Sequence, residues 1–341
     1  MKCTNKFRFL NIHRIGKIRC IFCVVCVMSL FLCSCGSSTK ELAQPYDVFG
    51  TQFSSGQNSA TDTTSTYFAK NLCVTDGTDI GTDTTNSEVA DGAGVFNLAT
   101  NTVTYSKNIY KKLYPASTTK ILTAYIALQK CDLNEMVTIS ENAVNQTTDS
   151  SICNLKAGDV ISMRDLLYGL LLRSGNDAAI AIAEHISGDI DQFAALMNEE
   201  AKELGATNSN FVNPNGLPDV NHYTSVYDMY LFFQAALSNE TFVDIISTKS
   251  IDVSYSNASG ETTTQTWNNT NQYLLGKQTA PDGITVVGGK TGTTGDAGYC
   301  LVLYSYNQKN EPIISIVFKA DCKSNLYLLM NQMLSGYANE S

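Results

Sequence analysis

The sequence predicts an α/β fold of the α+β type, a central and mainly antiparallel sheet packed with a helical cluster. Three observations predict it. Two β-patterned segments open the regular part of the chain around 93–106, a block of apolar helical patterns follows over roughly 115–237, and beyond 250 the apolar period shortens to two. With 341 residues and 43% apolar side chains, the chain can bury one large core or two small ones.

Taken in order, the chain begins with six basic residues, Lys2, Lys6, Arg8, Arg14, Lys17 and Arg19, followed by an apolar run of 13 residues from Ile21 to Cys33. That run is too short to span a bilayer and has the form of an export signal, which sets a first segment at 1–34. It ends in Leu32-Cys33-Ser34-Cys35-Gly36, which resembles a bacterial lipobox, so Cys35 is expected to be the lipidated first residue of the mature protein. An ordinary signal peptide cleaved nearby, or an uncleaved anchor, is the alternative. Cys20-x-x-Cys23-x-x-Cys26 has a metal-ligand spacing but lies inside the apolar export run, where the bland reading prevails. From 35 to 88 the composition is Ser, Thr, Gly, Asp, Asn and Gln with few aliphatic residues, the pattern of a flexible tether. The expected location is the outer face of a bacterial cytoplasmic membrane, held there by the lipid.

Removal of 1–34 leaves 17 basic against 32 acidic residues, a net charge of −15. So acidic a body excludes nucleic acid and anionic membrane as partners for long-range electrostatic binding, and any anionic ligand must be held by local lysines. Cys73, Cys131, Cys153, Cys300 and Cys322 remain outside the leader. Five is odd, and no disulfide is inferred.

The third segment, 89–341, is the folded domain. Ala93–Asn97 and Thr102–Ser106 read as strands around a turn. Pro115 to Leu128 reads as an apolar helix. A second helix begins at Ser162-Met163-Arg164-Asp165, whose Ser-x-x-Asp resembles a capping box, and breaks at Ser174-Gly175-Asn176 before a third runs from Asp177 to His185. Helical patterns continue over 189–204 and 225–237. Strands are expected at 251–255, 262–266, 284–290, 298–306 and 312–319, with an amphipathic helix carrying Leu326, Leu329, Met330 and Met333 at the end.

Three short motifs carry the chemistry. Ser117 and Lys120 lie three apart at a helix start, where the two side chains share a face. A serine hydroxyl attacks only when a base takes its proton, and a lysine serves only when its pKa is depressed; Ile121, Leu122 and Tyr125 supply burial. Read alone, Ser117 is more often a helix cap and Lys120 a solvated side chain. Ser174-Gly175-Asn176 sits in the break between two apolar helices and can present a hydroxyl and an amide to a cleft, or simply stop one helix and cap the next. Lys290-Thr291-Gly292-Thr293 follows an apolar strand and Gly288-Gly289, so a ligand backbone can approach it as an added strand, with a cation and two hydroxyls suited to a carboxylate. Alone it reads as a solvated hairpin end.

In this order and in these elements, the three resemble the active-site set of the serine penicillin-binding proteins and β-lactamases. Tyr114-Pro115-Ala116-Ser117-Thr118-Thr119-Lys120, Leu172-Arg173-Ser174-Gly175-Asn176-Asp177-Ala178, Lys290-Thr291-Gly292 and Asn213-Pro214-Asn215-Gly216-Leu217-Pro218 look like the low-molecular-mass D-alanyl-D-alanine carboxypeptidases, over about 89–335. The resemblance implies a β-lactamase/transpeptidase-like fold. It implies Ser117 as nucleophile, Lys120 as general base and Ser174 as proton relay. It further implies backbone N–H groups of Ser117 and Thr293 as an oxyanion hole, Asn176 on the peptide amide, and Lys290, Thr291, Gly292 and Thr293 as the site for the terminal carboxylate. Implied partners are peptidoglycan stem peptides ending in D-Ala-D-Ala and β-lactam antibiotics as covalent inhibitors. No cofactor is implied.

The alternatives are a serine β-lactamase and a weakly catalytic penicillin- or peptidoglycan-binding lipoprotein. Against the first, Gly175 stands where class A β-lactamases resemble Ser-Asp-Asn, and no Glu-x-x-Leu-Asn stretch follows the second motif. A Ser-His-Asp hydrolase is disfavoured because only His185 and His222 lie beyond the leader, and no catalytic metal is expected with so few ligands. Many relatives carry a second, β-rich domain and an amphipathic membrane helix after the catalytic domain; both are expected to be absent here.

Overall fold

The computed structural model describes residues 71–340. In chain order, β1 (Ala90–Asn97) and β2 (Thr102–Lys107) form the expected hairpin, and a 3-10 turn over Ala116–Thr119 leads into α1 (Lys120–Lys130). There follow β3 (Met136–Thr138), α2 (Glu141–Val144), β4 (Val160–Ser162), α3 (Met163–Tyr168), α4 (Asn176–Ser187), α5 (Ile190–Glu203), α6 (Val226–Leu237) and α7 (Glu240–Ser247). The chain closes with β5 (Ser250–Ser256), β6 (Thr262–Asn268), β7 (Thr285–Thr294), β8 (Gly298–Tyr306), β9 (Pro312–Ala320) and α8 (Lys323–Tyr337).

The main sheet is five-stranded and antiparallel in the order β2-β1-β9-β8-β7. Its central strands are apolar on both faces, as strands covered on both sides must be. Along β9, Ile314, Ile316 and Phe318 enter a large core shared with the helices, while Ile313 and Val317 enter a smaller one under α8. The same alternation divides β8, with Cys300 and Val302 on the helix side and Leu301 and Leu303 under α8. The expectation of helices on a mainly antiparallel sheet therefore holds, with two cores rather than one.

Helix starts follow local chemistry. Ser162 Oγ accepts the Asp165 N–H at 3.1 Å, capping α3, and donates to Asp165 Oδ2 at 2.7 Å, a side-chain bond in place of the reciprocal backbone bond of a full capping box. Asp189, Ser225 and Asn239 cap α5, α6 and α7 in the same way. After α3 the chain makes a π turn over Gly169–Arg173 and stops at Ser174, whose backbone is left-handed (φ 61°, ψ 34°).

Two expectations shift. The strands at 250–268 belong not to the main sheet but to a separate four-stranded one, β3-β4-β5-β6; β3 and β4 are three residues each, too short to display an alternation. The boundary at 89 falls too late among the described residues. Cys73 is fully buried, its N–H donates to the Tyr230 hydroxyl at 2.9 Å, its carbonyl accepts from Tyr227 at 2.9 Å, and Ile80 bridges Ser106. Backbone hydrogen bonds hold residues 71–88 to the domain, so a polar composition did not betray the attachment. The leader, Cys35 and most of the tether lie outside the described residues.

Candidate active site

Ser117 sits in the 3-10 turn, half-buried, directly before α1. Neither the turn nor α1 has a side-chain cap, so Ser117 is not holding the helix end. The residue before it, Ala116, has φ 48°, a left-handed conformation costing about 1 kcal/mol or more for a residue with a Cβ. Gly216 explains how it is imposed: its φ is 87°, and a Cβ there would lie 1.9 Å from the Ala116 carbonyl oxygen. Only glycine lets the 213–218 loop press the nucleophile turn forward.

Lys120 is fully buried one turn on. Its Nζ has three neighbours, Ser117 Oγ at 3.0 Å, Asn176 Oδ1 at 2.8 Å and the Asn215 carbonyl oxygen at 2.7 Å. Its pKa is held well below the ordinary lysine value, first by desolvation and second by the charge of Lys290. A neutral amine has two N–H bonds and one lone pair. The amide and carbonyl oxygens can only accept, so they take the two N–H bonds, and the lone pair is left for the one neighbour able to donate, the Ser117 hydroxyl. That arrangement is one in which an amine can serve as a general base toward a serine nucleophile.

A second lysine meets a second serine across the cleft. Lys290, on β7, is buried and donates from Nζ to Ser174 Oγ at 2.9 Å and to the Thr291 carbonyl at 2.8 Å. Burial pushes it down to about 7. The loop bearing Ser174 and Asn176 is fixed by Asp177, which is buried and accepts the N–H groups of Cys153, Leu155 and Ala178. The Asn176 N–H in turn donates to the Ser151 carbonyl at 2.8 Å.

Strand β7 runs along the nucleophile turn. A Cβ at Gly292 would sit 3.0 Å from the Ser117 nitrogen and from the Pro115 carbonyl oxygen, so the absence of a side chain permits the approach. Ser117, Ser174, Thr291, Gly292 and Thr293 line a cleft of about 240 Å³. All eight predicted side chains and backbone positions outside the leader thus converge, but Lys290 reaches Ser174 rather than standing open in the cleft. Lys323, at the start of α8, lines the cleft as an exposed cation. Thr270, which meets Thr291 Oγ1 at 2.6 Å, lines it with Gln272, Tyr299 and Tyr327.

Sequence reasoning missed Lys323 and these walls because nothing local marks them, and it missed the Asn215 carbonyl because a backbone acceptor has no residue signature. His222 was set aside as a catalytic base, and it does not touch Ser117. It is buried, accepts the Val212 N–H at Nδ1 (3.2 Å) and so has its hydrogen on Nε2, which meets Thr119 Oγ1 at 2.9 Å. Burial pushes it down to about 4.

The chain is similar to known proteins over most of the described residues. Residues 81–322 match the family model described as D-alanyl-D-alanine carboxypeptidase. The D-alanyl-D-alanine carboxypeptidase DacF of Bacillus subtilis is 34% identical over 242 residues, covering 69% of this chain and 58% of its own length. The D-alanyl-D-alanine endopeptidase of Escherichia coli is 29% identical over 243 residues, 70% of this chain and 74% of that one. The crystal structure of the Streptomyces K15 DD-transpeptidase superposes with a TM-score of 0.66 at 29% identity, covering 72% of this chain and 97% of that one. The chain spans little more than half the length of several curated relatives that it matches. By its matched span and its two lysine–serine pairs in one cleft, the chain belongs to the D-alanyl-D-alanine carboxypeptidase family.

Proposed function

We propose that this protein removes the terminal D-alanine from peptidoglycan stem pentapeptides through a Ser117 ester, and that β-lactams acylate the same serine. The observation that carries the reading is the desolvated Lys120 amine 3.0 Å from Ser117 Oγ, with both its N–H bonds committed elsewhere. Ser117 Oγ attacks the carbonyl carbon between the two D-alanines while its proton passes to Lys120. The negative oxygen of the tetrahedral intermediate is received by the backbone N–H groups of Ser117 and Thr293. The C–N bond then breaks, and the proton leaves Lys120 for the departing amine by way of Ser174, whose orientation Lys290 holds. Water hydrolyses the ester, giving tetrapeptide and D-alanine. Asn176 orients the peptide amide. The hydroxyls of Thr291 and Thr293, with the charge of Lys290 behind them and Lys323 at the cleft wall, suit the terminal carboxylate.

The test is to label the purified protein with a fluorescent penicillin, map the modified residue, and follow D-alanine release from a pentapeptide in parallel. The expected result is a long-lived adduct on Ser117 together with released D-alanine. Rapid penicillin turnover would indicate a β-lactamase, and an adduct without D-alanine release would indicate a binding protein.

The cellular setting is part of the same proposal: export, lipidation at Cys35 and display at the outer face of the cytoplasmic membrane. What supports it is the basic, apolar and Leu32-to-Cys35 pattern of the leader. Mass spectrometry of the membrane-bound protein before and after lipid hydrolysis tests it; an unmodified Cys35 overturns it.

A further inference from the structure

Away from the cleft, three chemically distinct metal donors meet. Cys131 Sγ, a carboxylate oxygen of Glu135 and an imidazole nitrogen of His185 all lie within 4.8 Å of one another. They come from two separate stretches of chain. Cys131 is the residue at which α1 ends, Glu135 lies four residues on in the turn before β3, and His185 lies in the last turn of α4.

The donors are held in place rather than loosely near. The Cys131 N–H donates to the Ala127 carbonyl at 3.0 Å. The Glu135 N–H donates to the Asp132 carbonyl at 3.1 Å, and its own carbonyl accepts from Met163 at 2.8 Å. One carboxylate oxygen of Glu135 accepts the Asp132 N–H at 3.0 Å, and the other meets His185 Nε2 at 2.8 Å. The side chains of His185 and Glu135 are 29% and 44% exposed, which leaves an aqueous route in.

We propose that Cys131, Glu135 and His185 bind one zinc ion that joins the C-terminal ends of α1 and α4. One thiolate, one imidazole and one carboxylate form the mixed donor set that zinc accepts, and the softer sulfur disfavours calcium and magnesium. Around a tetrahedral zinc with bonds of about 2.0–2.3 Å, donor atoms stand roughly 3.5 Å apart. The imidazole and carboxylate must therefore part slightly and the sulfur draw in, within the reach of side-chain rotation. Water takes the fourth corner. On binding, the thiol proton leaves to solvent and the imidazole binds through Nε2 as its neutral tautomer with the hydrogen on Nδ1, so the bound ion carries a thiolate and a neutral imidazole.

The placement gives the ion a mechanical role. Helix α1 begins at Lys120, and α4 begins at Asn176, so both helices start at the cleft and end at the zinc donors. Eleven residues of helix place the ion about 17 Å from the lysine along α1. It would stiffen the pair that carries Lys120 and Asn176 without touching substrate. The prediction is independent of the proposed activity and survives the failure of that reading.

The full chain is stripped with EDTA, incubated with zinc and desalted, and its metal content is compared with that of Cys131→Ser, His185→Ala and Glu135→Gln. Any zinc held by leader cysteines is common to all four proteins. The expected result is one more zinc per chain in the wild type than in the Cys131 and His185 variants. Substitution of cobalt should give a thiolate-to-cobalt band that Cys131→Ser loses and Cys322→Ser keeps. In EDTA the variants should melt with the wild type, and zinc at a hundredfold excess over its dissociation constant should raise only the wild-type midpoint, by roughly 5 °C. Equal metal content in wild type and variants, or a cobalt band unchanged by Cys131→Ser, overturns the site and leaves His185 and Glu135 as a simple hydrogen-bonded pair.

Discussion

The cleft holds two buried lysine–serine pairs built in opposite ways. Lys120 and Ser117 belong to one turn of chain and meet because residues three apart at a helix start share a face. Lys290 and Ser174 lie 116 residues apart and meet only because β7 and the break after the π turn are brought together by the large core. The local pair has its geometry supplied by the helix and its chemistry by burial. The distant pair has neither until the domain is folded. Each is attended by a left-handed non-glycine residue, Ala116 beside the first serine and Ser174 itself in the second, so both hydroxyls are presented by strained backbone that the surrounding structure maintains.

If the local pair performs the chemistry and the distant pair supports it, substitutions should rank accordingly. Ser117→Ala should abolish penicillin adduct formation and lower D-alanine release by at least about 10⁴-fold. Lys120→Met should lower the acylation rate by about 10²–10⁴-fold. The fold should persist, because the variant replaces a desolvated amine by an apolar group of similar length; an inactive Ser117 variant beside an active Lys120 variant would break the assignment of the base.

Lys290→Met should cost less, about 10²-fold, and it also reports the electrostatics of the distant pair. In the folded protein Lys290 is pushed down to about 7, whereas in the unfolded chain it holds its proton to about 10.4. Between those values the unfolded chain binds the extra proton, so the contribution of Lys290 to stability rises with pH across that window and is at its most unfavourable below 7. Wild type should therefore gain on Lys290→Met, by about 1 kcal/mol between pH 7 and 8 and approaching about 1.4 kcal/mol per pH unit between pH 8 and 9, measured by urea unfolding at pH values one unit apart. A gap that does not change with pH would mean that the amine is solvated. His222→Asn should have the smallest effect, under about tenfold on acylation, with no new inflection between pH 5 and 8, because an imidazole pushed down to about 4 is already neutral there.

The same contrast explains what was legible beforehand. Ser117 and Lys120 were readable because their relation is fixed by helical spacing, and the cap at Ser162 because it is made within four residues. Lys290 was found by its sequence context, but its hydrogen bonds to Ser174, 116 residues away, and to the Thr291 carbonyl were not foreseen. Lys323, Tyr299 and Tyr327 reach the cleft from two different elements, and His185 comes to Cys131 across more than fifty residues. No local pattern encodes such meetings. In the second sheet β5 and β6 were expected, but β3 and β4 escaped for a different reason, since three residues cannot establish a period.

The common starting point of α1 and α4 has an electrical consequence. Peptide dipoles in each helix add along the axis, so each presents roughly half a positive elementary charge at the end where Lys120 or Asn176 stands. Two such ends share one small, poorly hydrated space. The chain as a whole carries a net charge of −9, and an incoming carboxylate is repelled at long range. Beyond about 8–10 Å, however, salt screens that repulsion, and what the ligand meets on arrival is the convergent field of the two helices. An acidic protein can in this way hold an anionic chain end, with attraction confined to the place where the chemistry occurs.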